Sequence, residues 1–246
     1  MRESIIGLSA TLLACMASPA LAQDESTAPV TISGSTTVVS DYRFRGISQT
    51  DKRFALQGGI TATHSSGVYV SVWGSSIDDY VANGGDQELD LIAGYSTSVG
   101  AATIDFGVLY YYYPGSGGIN SDFFEPYASV TGDFGGASAK LSVAYAPKQS
   151  ALTVGNGKED NLYTALDLSG DIPDTGLSLT GHIGHSFGPS YLTIGDEYTD
   201  WSIGASYSLG ALSLGVSYVD TDKSLYSPSG RNISKAGVVF SLGASF

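Results

Sequence analysis

Three histidines, one cysteine and a handful of charges set at strand spacing are the residues of this chain with chemistry to offer. Nucleophilic hydrolysis needs a serine or cysteine within hydrogen-bond reach of a histidine that a third group orients. The histidines are His64, His182 and His185. His185 adjoins Ser186, but sequence neighbours on a strand point to opposite sides. His182 and His185 are three apart and likewise fail to share a strand face, so they do not make a metal site. Neither G-x-S-x-G nor H-E-x-x-H occurs. No catalytic residue, cofactor or metal ligand is assigned, and an enzyme is the weakest functional class for the chain.

The single cysteine, Cys15, sits in a segment unlike the rest. Arg2 is followed by an apolar stretch over residues 5–16 and then by Ser18-Pro19-Ala20-Leu21-Ala22-Gln23. A short basic start, an apolar run and a small-x-small site are the pattern of a secretory signal peptide. Residues 1–22 are read as that leader, 23–29 as a short N-terminal periplasmic segment, and 30–246 as one folded unit. Leu12-Leu13-Ala14-Cys15 is a poor lipoprotein box, so Cys15 is read as an apolar member of the leader. The mature chain then has no thiol and no disulfide.

Charge narrows the partners. The chain carries 24 acids against 11 bases, a net −13, and only 14% of its residues are charged. There is no basic run, so nucleic acid is not an expected partner. No segment after the leader has 18 consecutive apolar residues, so a transmembrane helix is not expected. Only helices and closed barrels satisfy every backbone polar group in lipid. A membrane form of this chain must therefore be a barrel.

The elements that would position the charges are strands. From residue 235 onward, Ala236, Val238, Phe240, Leu242, Ala244 and Phe246 alternate with Lys235, Gly237, Val239, Ser241, Gly243 and Ser245. One face is apolar and the other small or polar. The same period predicts about twelve strands, at 30–45, 54–64, 67–77, 87–98, 101–113, 122–133, 137–147, 160–171, 176–187, 198–209, 211–220 and 235–246. Most are near the ~9–11 residues of a tilted membrane strand. Over 67–77 the faces compete, Tyr69 and Trp73 against Val68, Val70 and Val72. Connections alternate between long (46–53, 78–86, 114–121, 148–159, 188–197, 221–234) and short. Long loops on one side and tight turns on the other describe a transmembrane antiparallel up-and-down barrel with short periplasmic turns. A soluble sandwich would carry Lys, Glu and Arg on its polar face; here that face is mostly Ser, Gly and Thr. Aromatic residues near the strand ends are expected to form the two interfacial girdles. They are Tyr42, Phe44, Tyr110, Tyr112, Phe124, Tyr145, Trp201 and Tyr218 on the long-loop side, and Phe134 and Phe246 on the other.

The alternation turns Asp41, Arg43, Arg45, Glu88, Asp90, Asp105, Glu125, Lys140, Asp167, Asp171, Asp200 and Lys235 inward. Arg43, Arg45, Glu88, Asp90, Asp105, Glu125, Lys140, Asp167, Asp200 and Lys235 are taken as pore-lining candidates. Twelve strands lie between the filled eight-stranded barrels and the wide sixteen-stranded channels. A narrow lumen passing ions or small solutes is expected, with weak cation preference from the acid excess. Two arginines two residues apart either brace the wall against Asp41, Glu88 or Asp90, the favoured reading, or form a constriction. The other classes are a plugged surface-interaction barrel and, last, a lipid hydrolase. The acidic long loops are read as solvated, repelling segments rather than a calcium site.

Two stretches resemble known proteins. The last strand, with Phe240, Leu242 and Phe246, is similar to the C-terminal targeting signal of outer-membrane proteins. That resemblance implies the barrel assembly machinery as a partner and a Gram-negative outer membrane, with its lipid and lipopolysaccharide, as the location. Ser40-Asp41-Tyr42-Arg43-Phe44-Arg45-Gly46-Ile47-Ser48-Gln49-Thr50 resembles the opening motif of the TorF family of porins, also catalogued as a proteobacterial family of unknown function. Gln57-Gly58-Gly59-Ile60, Ser66-Gly67-Val68-Tyr69, Ala93-Gly94-Tyr95 and Tyr127 continue the resemblance, which implies a barrel with a pore.

Overall fold

The computed structural model describes residues 29–246. The expected leader, with its Ala20-x-Ala22 site and Cys15, and residues 23–28 lie outside them. Twelve strands form the body: β1 Val30–Val39, β2 Ala55–His64, β3 Val68–Ser76, β4 Gln87–Val99, β5 Ala102–Tyr112, β6 Phe123–Asp133, β7 Ala137–Ala146, β8 Asn161–Ile172, β9 Leu177–Phe187, β10 Tyr198–Leu209, β11 Leu212–Thr221 and β12 Gly237–Ser245. Each pairs antiparallel with the next, and β1 closes on β12 through Ser35 opposite Ser245 and Val39 opposite Ser241. Closure leaves no barrel edge exposed. Phe246 adds two backbone bonds to Gly34, at 2.9 and 3.0 Å, beyond the last paired residue.

The faces follow the period of two. On β12, Val238, Phe240 and Leu242 are 54%, 61% and 52% exposed, while Val239 and Ser241 between them are 0% and 8%. An apolar outside around a polar inside reverses a soluble barrel and matches a lipid-facing wall. The competition on β3 resolves the same way. Val68, Val70 and Val72 face out, and Tyr69 and Ser71 are buried inside.

Inward aromatic rings find room over glycines on the neighbouring strand. Tyr69 lies opposite Gly94, Tyr127 opposite Gly107 and Trp73 opposite Gly59. A Cβ on Gly94 would sit 2.5 Å from the Tyr69 ring. The glycines of this face therefore serve packing as well as leaving open space.

Turns 65–67, 100–101, 134–136, 173–176 and 210–211 close one end, and six long loops stand at the other. At the long-loop rim, Tyr110, Tyr112, Phe124, Tyr145 and Tyr218 face outward. The hydroxyls of Tyr145 and Tyr218 donate to Asp160 (2.8 Å) and Asp220 (3.0 Å), as ring-in, hydroxyl-up girdle residues would. Phe134 and Phe246 are exposed at the other rim.

Three expectations need correction. The first strand does not run to residue 45: it ends at Val39, and residues 41–51 fold into the lumen before the chain returns to the rim at Arg53 and Phe54. Arg45, Gly46, Asp51 and Lys52 adopt left-handed backbone, with φ of 47°, 78°, 50° and 57°, which turns the chain inward. Tyr42 and Phe44 consequently pack inside the barrel and not in the girdle. Lys235 lies on the exposed loop before β12, where the Asn232 side chain accepts from the Ser234 and Lys235 amides at 3.1 and 2.8 Å and bends the chain.

The glycine positions give a stability test. A Cβ at Gly107 would meet the Ala93 carbonyl at 2.5 Å and the Tyr127 hydroxyl at 2.6 Å, whereas one at Gly181 meets nothing within 4 Å. Gly107→Ala should cost about 1–3 kcal/mol, as overpacking does. Gly181→Ala should be close to neutral. Urea unfolding of the barrel in lipid vesicles measures both, and equal stabilities would refute the packing role.

Candidate functional site

The site is the lumen, and the 40–54 loop divides it. A small ribbon pairs Arg43 with Ser48 and Phe44 with Ile47, so that Arg45 and Gly46 form the tip. Arg43 anchors the ribbon. Its Nε donates to Asp41 at 2.6 Å, and its Nη1 donates to the Gly46 and Ile233 carbonyls at 2.8 and 3.2 Å. Ser48 donates to the other Asp41 oxygen at 2.5 Å.

Arg45 carries the loop to the far wall. Its Nη2 reaches both oxygens of Glu125 on β6, at 2.7 and 2.8 Å, and its Nη1 donates to Asn161 on β8 at 2.9 Å. Strands β6 and β8 flank β7, which stands opposite β1 in the ring. The loop that leaves β1 thus spans the lumen. The guanidinium also lies 4.1 Å over the Tyr163 ring and 4.8 Å over that of Phe44. Tyr111 donates to Glu125 at 3.2 Å, and Asn161 donates to the Phe187 carbonyl at 2.7 Å. Both charged side chains are buried. A planar guanidinium with a carboxylate, an amide and two rings arranged around it is a fit that lysine would not reproduce.

Above this strut, the outer half of the barrel is packed. Leu152 and Tyr198 are buried from the loop side, and Tyr42, Ile77, Ala82 and Val219 form a cluster with Trp73 and Tyr113 against it. Below it lies a cavity of about 850 Å³, bounded at the top by Arg43, Arg45 and Gly46 and reaching the turns at 65–67 and Gly136.

Charge on the cavity wall is one-sided. Lys140 on β7, Asp167 on β8 and His182 on β9 are direct cross-strand partners. His182 Nδ1 lies 2.6 Å from Asp167 and its Nε2 3.1 Å from Asp200 on β10, so both ring nitrogens face carboxylate oxygens. The doubly protonated ring satisfies both. Tyr163 donates to the same Asp200 at 3.1 Å. On β5, Asp105 accepts from Tyr69 at 3.0 Å, and Tyr69 also contacts the Tyr127 hydroxyl. The other side of the cavity, on β11 and β12, is small and hydroxylated, with Ser213, Gly215, Ser217 and Ser241.

The structure thus places Arg43, Arg45, Asp105, Glu125, Lys140, Asp167 and Asp200 on the cavity wall. Glu88 and Asp90 are brought together elsewhere. They are buried in the packed outer half, where Tyr113 lies 3.4 Å from Glu88 and Asp90 Oδ1 has no hydrogen-bond partner. Lys235 stands on the outer rim. Of the expected partners for the arginines, Asp41 pairs with Arg43, but Glu125 takes the place given to Glu88 and Asp90. His182, Asn161 and Tyr163 went unassigned in the sequence, although the period that turns Asp167 inward also turns Asn161 and Tyr163 inward. His185 is on the outer face, 2.9 Å from Thr199, while Ser186 is fully buried on the inner one, so the two do not meet.

Comparison with solved structures agrees with this architecture. The NanC porin superposes with a TM-score of 0.59 at 11% identity, covering 88% of this chain and 99% of that one. An outer membrane channel from Pseudomonas putida F1 gives 0.50 at 14% identity, covering 87% and 94%. At these identities the likeness is one of fold. No curated protein matches the sequence. The model of a family described as "Bacterial protein of unknown function (Gcw_chp)" matches residues 23–246, and the chain belongs to that family.

Proposed function

We propose that the chain is an outer-membrane channel of narrow bore, passing ions or small solutes by diffusion, with the 40–54 loop setting the bore. The observation that carries this reading is the polar cavity beneath the strut, inside a closed barrel whose outer face is apolar. The resemblance of residues 40–50 to the TorF porins, and the porin-like fold, point the same way. The Gram-negative outer membrane, and assembly through the strand ending at Phe246, belong to the same proposal.

A weak cation preference follows from the wall. Arg45 and Glu125 neutralise each other, as do Arg43 and Asp41. What remains on the cavity is Asp105, Asp133, Asp167, Asp171 and Asp200 against Lys140 and His182. A confined lumen with excess carboxylate favours cations.

A plugged barrel is the second reading, favoured by the packed outer half around Leu152 and Tyr198. A lipid hydrolase has no such support, because His185 and Ser186 lie on opposite faces.

Single-channel recording of the refolded barrel under a salt gradient should show steady steps with a cation-positive reversal potential. Asp167→Asn with Asp200→Asn should move that potential toward zero. Asp90→Asn should leave it in place, since Asp90 is off the cavity wall. Unchanged selectivity in the double variant would remove these carboxylates from the ion path.

Breaking the strut gives a separate test. Arg45→Ala leaves Glu125 charged and buried, which should cost about 3–5 kcal/mol. It should also enlarge the conductance, and Arg45→Ala with Glu125→Ala should recover part of the stability while keeping the larger steps. A barrel that is folded and silent both with and without the strut would establish the plugged form.

A further inference from the structure

One corner of the long-loop rim breaks the acidic character of the chain. Exposed carboxylates populate the other loops, among them Asp79, Asp196 and Glu197. Where β12, β1 and β2 end, the loops instead bring together Lys52, Arg53, Arg231 and Lys235. Lys52 Nζ donates to the Lys235 carbonyl at 3.2 Å, which puts the two lysines side by side above the end of β1. Burial, together with the charges of Arg43, Lys235 and Arg231, holds the Lys52 ammonium below its ordinary range, with Asp41 opposing. Two of the four cations have acidic partners, Arg53 with Asp78 and Arg231 with Asp51. Lys235 projects from the rim, exposed.

Directly beneath this corner the outer wall is strongly apolar. Phe54 and Phe240 are 75% and 61% exposed, and Leu56 and Val38 continue the strip as direct cross-strand partners. Ser40 ties the two sides, its amide bonded to the Phe240 carbonyl at 2.9 Å and its hydroxyl accepting from the Phe240 amide at 2.9 Å. Cations above and rings below repeat the layering of an anionic lipid, phosphate over acyl chain. Crowded like charges at the headgroup level are relieved by an anion, and long lysine stems can follow it along the surface.

We propose that this corner binds the phosphate headgroup of an anionic outer-leaflet lipid, Lys52 and Lys235 holding the phosphate while Phe54 and Phe240 lie against its chains. The inference rests on the outer-membrane placement proposed above.

The test is lipid retention. Refolded mature barrel is incubated with lipid A in detergent and analysed by native mass spectrometry, with heat-modifiable gel mobility confirming the fold. The wild type should retain one lipid A with roughly tenfold higher occupancy than Lys52→Glu with Lys235→Glu. Lys235→Glu alone, which alters an exposed side chain, should show an intermediate loss. Lys148→Glu with Lys158→Glu, a matched charge change elsewhere on the rim, should retain lipid A as the wild type does. Inorganic phosphate in millimolar excess should not displace the lipid. Equal retention by the wild type and the double variant, loss in the Lys148/Lys158 control, or displacement by inorganic phosphate would each overturn the proposal. Failure of the wild type to insert into phosphatidylcholine vesicles would overturn the membrane placement along with it, whereas insertion without lipid A preference would overturn this site alone.

Discussion

The arrangement inside the barrel depends on one buried ion pair. Arg45 and Glu125 leave water almost completely, and desolvation of two charges is repaid only when geometry and further hydrogen bonds are good. Here they are. Two bonds join guanidinium and carboxylate, Asn161 takes a third, and Tyr111 donates to the carboxylate. The pair fixes a loop from β1 against β6 and β8. The left-handed backbone at Arg45 and Gly46 makes a tip sharp enough to present the guanidinium there. Tyr42, Phe44 and Ile47 enter the apolar clusters because the tip is anchored ahead of them. The floor of the packed half and the ceiling of the polar cavity are thus the same loop.

The wall below the strut is built for asymmetry. Strands β5 to β10 carry Asp105, Lys140, Asp167, His182 and Asp200, while β11 and β12 offer serine and glycine. Some large inward side chains sit where a neighbouring glycine yields, as Tyr69 over Gly94 and Tyr163 against Gly184 show. Tyr163 in turn holds Asp200 and underlies Arg45, so the strut and the charged wall share a residue. In the proposed channel, a solute beneath the loop would meet one charged side and one hydroxylated side.

Much of this was legible in the sequence. The period of two, the strand lengths and the alternation of long and short connections are direct consequences of a lipid-facing wall, and they define twelve strands and both faces. Asp105, Lys140, Asp167 and Asp200 lie within strands, where that period holds, and their inward placement follows from it. Arg43 and Arg45 also obey the period, which made them look like the end of a strand. Nothing in their spacing reveals the turn that takes them into the lumen, because it depends on Glu125 and Asn161, which are 80 and 116 residues away. Lys235 failed for a local reason, the Asn232 side chain that bends the chain before β12. Glu88 and Asp90 face inward as expected, but facing inward is not lining a pore when loops fill that level of the barrel. His182 was within reach, since it is the direct cross-strand partner of Asp167, but strand pairing is not visible from one strand alone.

The residues that resemble a porin family opening, 40–50, are the same residues that make the strut. Continued as a strand, the motif of Asp, Tyr, Arg, Phe, Arg and Gly would also turn its arginines inward, but without the turn that carries Arg45 to Glu125. It makes sense as a self-braced ribbon: Arg43 satisfied by Asp41 and by carbonyls of the last loop, Arg45 left to reach outward, Gly46 at the turn. The ribbon is held along its length by apolar packing but tied to the opposite wall at one guanidinium. Its reach to the far wall therefore rests on the buried contacts of one guanidinium with carboxylate and amide, while Arg43, Ser48 and Asp51 tie it to the last loop. A loop held in this way fits the proposed channel, in which it would set the width of the passage.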